Sequence, residues 1–354
     1  IKDNAKIGTA QGGAGNTSGG SGIGSMNKLT ISGGEIQQTT GGEATGDTGG
    51  TGIYSAGALF ISQNTAIKNA TGGDSEKYGG DGISAGELTI SGGTIGTAQG
   101  GEGKIFGGDG IGSDRELTIS GSKIEQATGG TSTNGTGGDG IHSDNKLNIS
   151  GGATIETAQG GDGKTTGGHG IHSEKELTIS QRNTSTSTTI GTVQGGASTD
   201  GTGGYGIRSG SMLTIKDSAA IANATGGNGK NGGHGIFGTA MRILSGTIGT
   251  AKGGEGKSDG GHGIYGVGEL TIQKATITNA TGNNATGNGN GGNGIFSDGK
   301  LTIDSATIAN ATGGTSTNGT GGSGIRGDGS SDDFMLYIYN ATIANATGGS
   351  GKWG

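Results

Sequence analysis

Carboxylates recur at one fixed place in this sequence, two residues before the isoleucine of a repeated Gly-x-Gly-Ile phrase. Asp81, Asp109 and Asp139 occupy that place in successive copies of the phrase. Carboxylate oxygens are the ligands that calcium prefers, so stacked aspartates can share a hard cation. Like charges in register also repel one another unless they face water. We expect these aspartates to be solvated, and calcium bound among them is the alternative and the one cofactor to consider.

Histidines directly follow the same isoleucine in two consecutive copies of the phrase. They are His142 and His172, and His169 stands close to them. Three imidazoles can hold a transition metal. The equivalent positions of other copies hold Ser, Arg, Tyr or Phe, however, which is typical of an ordinary surface position. We therefore expect surface histidines here.

The residue directly after that isoleucine is also the strongest candidate for ligand binding. Phe237, Tyr265 and Phe296 occupy it in three consecutive copies, in a chain with only 3% aromatic residues. This pattern predicts an exposed apolar stripe, which usually marks a contact surface. Aromatic rings flanked by arginine suit sugar rings and suit a neighbouring rod equally well. The predicted binding residues are Tyr54, His142, His172, Arg208, Phe237, Tyr265, Phe296 and Arg326.

These residues are set in a sequence that repeats itself about every thirty residues. Among its 354 residues are 92 glycines and no proline. Each copy carries three short strand signals, Gly-x-Gly-Ile, Leu-x-Ile and Ile-x-x-Ala, followed by a loop bounded by glycine pairs. Identical strands at fixed spacing stack in parallel register. The sequence therefore predicts an all-β, single-chain parallel β-solenoid of about twelve coils, roughly 55 Å long.

The repeat array is predicted to be continuous over residues 1–354. Two intervals between Leu-x-Ile phrases are longer than the others, with the added residues at 181–189 and 326–335. We interpret both as loop insertions at coil corners. The glycine pairs are expected to flank a thin flap of the coil, because glycine allows two backbones to approach closely.

A polar residue stands two positions after the isoleucine of each third strand, for example Thr157, Asn279 and Asn310. Alternation along a strand predicts that these side chains share the buried face of the isoleucine. Because buried polar groups are hydrogen-bonded, we expect amides and hydroxyls that stack from coil to coil inside the rod. Asn279 and Asn310 also begin Asn-Ala-Thr glycosylation sequons, which burial would make inaccessible.

Composition argues against several classes of function. A net charge of −7 disfavours a nucleic-acid partner, which requires clustered Lys and Arg. The chain has no cysteine for a disulfide or a thiolate metal site, and no apolar stretch long enough to cross a membrane. The non-repeating segments hold few groups suited to catalysis, namely Arg182, Arg326, Asp328, Asp332 and Asp333. We expect that the protein is not an enzyme.

The stretch from Gly79 to Ile95, GGDGISAGELTISGGTI, resembles repeats of bacterial extracellular carbohydrate-binding proteins built as pectate-lyase-like parallel β-helices. It is more loosely similar to the repeats of large adhesins. The resemblance extends over every coil and implies a right-handed β-helix outside the cell with a polysaccharide-binding or adhesive role. The glycine-pair loops depart from that pattern and look like the glycine-rich tips of phage tail-fibre adhesins.

The expected function is that of an extracellular structural and adhesive protein, a rod or filament at the cell surface that binds polysaccharide along the aromatic column. Expected partners are other copies of the chain, joined head to tail or side by side, because open strand edges at solenoid ends promote association. The alternatives are a receptor-binding adhesin of the tail-fibre type, a polysaccharide-degrading β-helix enzyme and an ice-binding protein. Ice binding would use Thr89, Thr118 and the other threonines within Leu-x-Ile.

Overall fold

A computed structural model of the chain describes residues 1–181, 186–328 and 336–353. Within these residues the backbone forms 28 β-strands and no helix. The strands pair in parallel and wind into a single β-solenoid of about 11 turns. The predicted fold class is therefore confirmed.

Each turn of the solenoid has three walls, which we number in the order of their sequence phrases: Gly-x-Gly-Ile, Leu-x-Ile and Ile-x-x-Ala. The strands confined to the first wall are β2 (Ile23–Ser25), β7 (Ile111–Ser113), β10 (Ile141–Ser143), β13 (Ile171–Ser173), β20 (Ile264–Gly266), β23 (Ile295–Ser297) and β26 (Ile325–Gly327). Those confined to the second wall are β8 (Glu116–Ser120), β11 (Lys146–Ser150), β14 (Glu176–Ser180), β21 (Leu270–Gln273), β24 (Leu301–Asp304) and β27 (Leu336–Tyr339).

When the strands that span more than one wall are included, the third wall has one strand more than each of the other two. Its strands are β1 (Lys6–Gln11), β6 (Thr94–Gln99), β9 (Lys123–Thr128), β12 (Thr154–Gln159), β15 (Thr189–Gln194), β17 (Ala220–Thr225), β19 (Thr247–Lys252), β22 (Thr276–Thr281), β25 (Thr307–Thr312) and β28 (Thr342–Thr347). The remaining strands pass through corners without a break, and they are β3 (Leu29–Thr40), β4 (Ile53–Thr71), β5 (Ile83–Ser91), β16 (Ile207–Lys216) and β18 (Ile236–Leu244).

Hydrophobic side chains from all three walls form a continuous core inside the rod. Ile141 of β10 pairs with Ile171 of β13, and Leu147 of β11 pairs with Leu177 of β14. All of these side chains are fully buried. Burial of one such side chain contributes roughly 1.5–3 kcal/mol, so the repeated phrase is itself the source of stability in each turn.

The third wall contradicts the predicted burial of its polar residues. Along β12, Ile155 and Ala158 are fully buried, whereas Thr157 between them is only partly covered. Two residues separate the inward-facing side chains, and the pairing with neighbouring strands skips Glu156. Period-two alternation fails at this point, and two consecutive residues, Glu156 and Thr157, face outward between the buried Ile155 and Ala158.

The predicted stacking of amides does occur, but at the surface. Asn345 Nδ2 donates to Asn310 Oδ1 and Asn310 Nδ2 donates to Asn279 Oδ1, both at 3.0 Å. Asn345 is exposed and the other two are half-buried. The expectation that burial hides the sequon asparagines is therefore wrong.

The glycine pairs form a flap between the third wall of one turn and the first wall of the next. Gly138 N–H donates to Gly130 O, and Gly161 N–H donates to Gly138 O, both at 2.8 Å. A Cβ on Gly129 would lie 1.9 Å from Gly138 O, and one on Gly138 would lie 2.0 Å from Gly108 O. No side chain fits between backbones this close, which confirms the predicted thin flap.

The two predicted corner insertions lie partly outside the described residues. Of 181–189 the structure describes residue 181 and residues 186–189, and of 326–335 it describes residues 326–328. At the end of the first insertion, Thr188 is buried and its Oγ1 donates to Ser180 O at 2.9 Å. This bond links the end of the second wall to the start of the third.

Candidate ligand-binding columns beside the glycine flap

Two columns of variable side chains run along the rod where the glycine flap meets the first wall. The wall column consists of the residues directly after the first-wall isoleucine, among them the predicted binding residues Tyr54, His142, His172, Arg208, Phe237, Tyr265, Phe296 and Arg326. The flap column consists of the residues two positions before that isoleucine, among them Asp81, Asp109, Asp139, His169, Tyr205, His234, His262 and Asn293. The fold brings the columns together, since a flap-column side chain of one turn contacts the wall-column side chain of the next.

The flap column is a ladder of hydrogen-bond acceptors for the backbone. Asp109 Oδ1 accepts the N–H of Asp139 at 2.7 Å, and Asp139 Oδ1 accepts the N–H of His169 at 2.5 Å. His262 accepts with Nδ1, from the N–H of Asn293 at 2.7 Å. Asp, His and Asn all carry an acceptor atom bonded to Cγ, which explains why they replace one another here. Sequence reasoning missed this role, although the exchange of Asp, His and Asn in one column was its signal.

The aspartates of the flap column are not solvated as expected. Asp139 is only 8% exposed. Both oxygens of Asp109 and of Asp139 already accept hydrogen bonds, Oδ1 from the backbone and Oδ2 from a histidine. Burial and the charge of Asp109 raise the pKa of Asp81 to about 7. The expectation of solvation is wrong because these side chains lie against the wall column; calcium binding at Asp81, Asp109 and Asp139 stays a prediction.

Two of these carboxylates orient a pair of stacked histidines. His142 Nδ1 lies 2.9 Å from Asp109 Oδ2, and His172 Nδ1 lies 2.7 Å from Asp139 Oδ2. An ionised carboxylate only accepts, so each Nδ1 carries a proton. The ring centroids are 4.9 Å apart and the rings are nearly parallel, at 9°. The two imidazoles therefore share one orientation, with their Nε2 atoms turned the same way.

Different groups surround the two Nε2 atoms. His142 Nε2 is buried without a hydrogen-bond partner, and Asp144 Oδ1 lies 3.4 Å from it. His172 Nε2 accepts from Arg208 Nη1 at 2.8 Å, and Glu174 Oε1 lies 3.7 Å from it. Ligand atoms of His142, His172 and Glu174 lie within 4.8 Å of one another. The expectation of plain surface histidines is wrong, since His172 is only 4% exposed.

Nearby charges set the protonation of these histidines. Burial disfavours charge on His142, but the surrounding carboxylates, Asp109 first among them, raise the pKa of His142 to about 10. Burial and the charges of His142 and Arg208 hold the pKa of His172 well below its usual value. Burial also lowers the pKa of His169 to about 3. At neutral pH a charged His142 thus lies beside a neutral His172.

The aromatic half of the two columns extends from Tyr205 to Phe296, and its rings pack against one another. Tyr265 and Phe296 stack with centroids 5.3 Å apart, and Phe237 lies 5.5 Å from Tyr265. Flap-column rings pack against them, with His234 4.9 Å from Tyr265 and His262 4.9 Å from Phe296. Phe296 is only 8% exposed, and Phe237 and Tyr265 are half-buried. The predicted exposed stripe is therefore wrong, because neighbouring rings cover the faces on which a sugar would stack.

The remaining members of the wall column stand at the ends of these clusters. The guanidinium of Arg326 lies 5.6 Å from the centroid of the Phe296 ring and is half exposed. Tyr54 pairs with Ser84 of the next turn, which in turn pairs with Gly112, so Tyr54 is separated from His142. The predicted site residues other than Tyr54 therefore form one continuous column, in which His169 and Tyr205 of the flap column join the histidines to the aromatic rings.

An open groove of about 480 Å³ lies between the aromatic half and the edge of the glycine flap. Tyr205, His262 and Phe296 line it together with Asp259 and Asn290 of the flap. The groove thus combines apolar surface with a carboxylate and an amide, a mixture that can hold a small polar molecule.

A more exposed aromatic pair lies in the glycine flap itself. Tyr78 and Phe106 stack with centroids 5.8 Å apart, and they are 40% and 48% exposed. Ile105 beside them is 39% exposed. Sequence reasoning missed this patch, although two aromatic residues one repeat apart in the loops were its signal.

No protein-family model, curated protein or solved structure matches the chain. Among the described residues no helix is long and apolar enough to cross a membrane. The fold and the two columns define the class of protein as a parallel β-solenoid with a glycine flap. Of the resemblance to pectate-lyase-like β-helices and adhesins, the structure supports the β-helix fold alone.

Proposed function

We propose that the protein is a structural and adhesive rod that works outside the cell and binds polysaccharide in the groove beside the glycine flap. The observation that carries the proposal is the pairing, along one groove, of aromatic and imidazole rings with a carboxylate and an amide. The groove is parallel to two columns that repeat with every turn. A ligand with its own repeat, such as a polysaccharide, can use equivalent contacts in successive turns.

The hydrogen-bonding groups of the groove suit sugar hydroxyls. His262 Nδ1 accepts a backbone N–H, so the neutral ring presents its N–H group at Nε2. Asp259 Oδ1 accepts the N–H of Asn290, which leaves Oδ2 of Asp259 and the amide nitrogen of Asn290 for a ligand. A sugar hydroxyl both donates and accepts, so it can bridge such groups. The carboxylate of Asp259 favours neutral over acidic polymers.

Arg326 is the best single position for testing this groove. Its guanidinium lies at one end of the groove over Phe296, and its side chain is 49% exposed, so its removal leaves the core intact. Arg242 is the matched control, because it is an exposed arginine of the second wall, away from the groove. Both substitutions remove one positive charge.

The test is affinity electrophoresis of the wild-type protein through gels that contain single polysaccharides, neutral and acidic. We expect retardation by at least one neutral polymer, a loss of about tenfold in affinity in Arg326→Ala, and no loss in Arg242→Ala. Wild-type mobility unchanged by every polymer, or equal losses in both variants, would refute the groove. New reducing ends after incubation would indicate an enzyme instead.

The proposal also includes adhesion and self-assembly. Association side by side or head to tail would turn single rods into filaments, and the exposed Tyr78 and Phe106 offer apolar surface for lateral contacts. Electron micrographs of native material test this part. Free or cell-attached filaments support it, rods on virions favour a receptor-binding adhesin of the tail-fibre type, and dispersed single rods inside cells contradict it.

A further inference from the structure

We propose that His142, His172 and Glu174 bind a divalent transition-metal ion, with Asp109 and Asp139 as the groups that orient the two imidazoles. The site would take zinc, copper, nickel or cobalt. It lies in the histidine half of the two columns, which contains His142, His169 and His172. The proposal is independent of polysaccharide binding in the aromatic half.

The hydrogen bonds at Nδ1 are the first reason. A histidine that ligates a metal almost always donates its other ring N–H to a carboxylate or a carbonyl, which fixes the ring and makes the ligating nitrogen more basic. His142 and His172 both have this arrangement, with Asp109 at 2.9 Å and Asp139 at 2.7 Å. Both carboxylates are held in turn by backbone N–H groups of the next turn. These hydrogen bonds decide which nitrogen of each ring is left for a ligand.

The positions of the ligand atoms are the second reason. His142 Nε2 is buried, and within the described residues no group makes a hydrogen bond to it, although Asp144 Oδ1 lies 3.4 Å away. Metal–nitrogen and metal–oxygen bonds of about 2.0–2.2 Å bring neighbouring ligand atoms to within roughly 4 Å of each other. Ligand atoms of His142, His172 and Glu174 are already within 4.8 Å of one another. Glu174 is half exposed, so its side chain can move towards an ion, and the two nearly parallel rings must tilt towards each other for both Nε2 atoms to reach it.

Arg208 is the group that a metal must displace. Its Nη1 donates to His172 Nε2 at 2.8 Å. This hydrogen bond occupies the lone pair with which His172 would bind the metal. Arg208 also lies 4.0 Å from Glu174 and is 29% exposed, so the guanidinium can swing towards solvent. The arginine and the ion therefore compete for one place.

The surrounding charge favours a dication. Asp109, Asp139, Asp144 and Glu174 contribute carboxylates around the two rings, and Arg208 opposes them. Neutral imidazole is the form that ligates a metal, so neither Nε2 carries a proton when the ion is bound. Two imidazole nitrogens with a carboxylate suit first-row transition metals, whereas calcium prefers oxygen ligands.

The test is calorimetric titration of the full, metal-free chain with zinc chloride at neutral pH. We expect one zinc ion per chain. Substitution of His142 or His172 by Ser, the residue that the wall column carries at Ser84, should weaken binding by about 100-fold or more. Asp139→Asn should weaken it by about 10–100-fold. Arg208→Ala should strengthen it, an effect that a merely structural role would not produce.

Two controls distinguish this site from adventitious binding. A His234→Asn, His262→Asn double variant removes the other stacked histidine pair and should bind zinc as the wild type does. Bound Cu²⁺ should show coupling to two imidazole nitrogens by electron paramagnetic resonance, and only one in His172→Ser. Zinc binding that survives in the His142→Ser, His172→Ser double variant, or that calcium displaces at equal concentration, would overturn the proposal. So would a wild-type chain that binds no zinc.

Discussion

Two pairs of stacked histidines in this rod have the same geometry and opposite hydrogen bonding. The rings of His142 and His172 are 4.9 Å apart at 9°, and those of His234 and His262 are 4.9 Å apart at 10°. In the first pair Nδ1 donates to an aspartate, whereas His234 Nδ1 accepts the N–H of His262 at 3.0 Å. The spacing follows from the turns of the solenoid.

What differs is the column in which each pair stands. In the flap column His234 and His262 each accept a backbone N–H of the next turn at Nδ1, so they carry their proton on Nε2 and have no lone pair for a metal. Wall-column histidines do not accept a backbone N–H in this way, so both of their ring nitrogens can bind other groups. The same residue type is thus a structural acceptor in one column and a potential ligand in the other.

Removal of the carboxylate beneath the first pair should have the largest effect. Asp139→Ala leaves the N–H of His169 and the Nδ1 of His172 without partners in a buried site. We expect a loss of roughly 3–5 kcal/mol in the free energy of unfolding, measured by urea denaturation. Asp144→Ala, at a half-exposed carboxylate of the same cluster, is the control, and an equal loss there would contradict the role of burial.

Acid should destabilise the second pair. Burial holds the pKa of His234 well below its usual value and lowers that of His262 to about 4. Unfolded histidine takes up a proton near pH 6.5, so stability is complete above that pH and falls as the pH drops towards 4. His262 alone should account for roughly 3 kcal/mol across this window.

Urea denaturation between pH 7 and pH 4 measures this effect. The His234→Asn, His262→Asn double variant removes both titrating groups and keeps an acceptor at each position, so its stability should change less with pH. His142 and His169 titrate in both proteins and cancel in the difference. Identical pH profiles would show that the second pair is not held neutral by the fold.

The acceptor ladder itself should be measurable at His262. His262→Ala leaves the N–H of Asn293 unpaired, whereas His262→Asn keeps an acceptor, as Asn293 does for the N–H of Ser323 at 2.6 Å. Both variants lose the ring. We therefore expect the alanine variant to be less stable by about 1–3 kcal/mol in urea denaturation. Equal stabilities would mean that the ladder bond contributes nothing.

The smallest effect is expected for the amide ladder of the third wall. Asn310 connects to Asn279 and Asn345 through hydrogen bonds at 3.0 Å, as regular as those of the flap column, but near water. Asn310→Ala should cost about 0.5 kcal/mol or less, because water replaces the lost bonds. A loss as large as that of His262→Ala would show that repetition, and not burial, makes these ladders strong.

The sequence predicts the fold well because each wall repeats its own phrase. Isoleucines in identical register can bury themselves only by stacking turn on turn, as Ile141 does on Ile171. The prediction fails for Thr157, where a local irregularity of the strand breaks period-two alternation. It also fails for Asp139 and Phe296. Their burial depends on contacts between a flap-column residue of one turn and a wall-column residue of the next.

The sequence alone determines that the chain is a rod, because a regular repeat can be stacked turn on turn. It also locates the candidate chemistry in the variable residues beside Gly-x-Gly-Ile. The tertiary structure decides what those residues do. It places Asp139 of one turn against His172 of the next, and gives His262 a backbone N–H to accept. Such contacts join residues a full turn apart, and their hydrogen bonds are set by the path of the backbone, which residue types by themselves do not define.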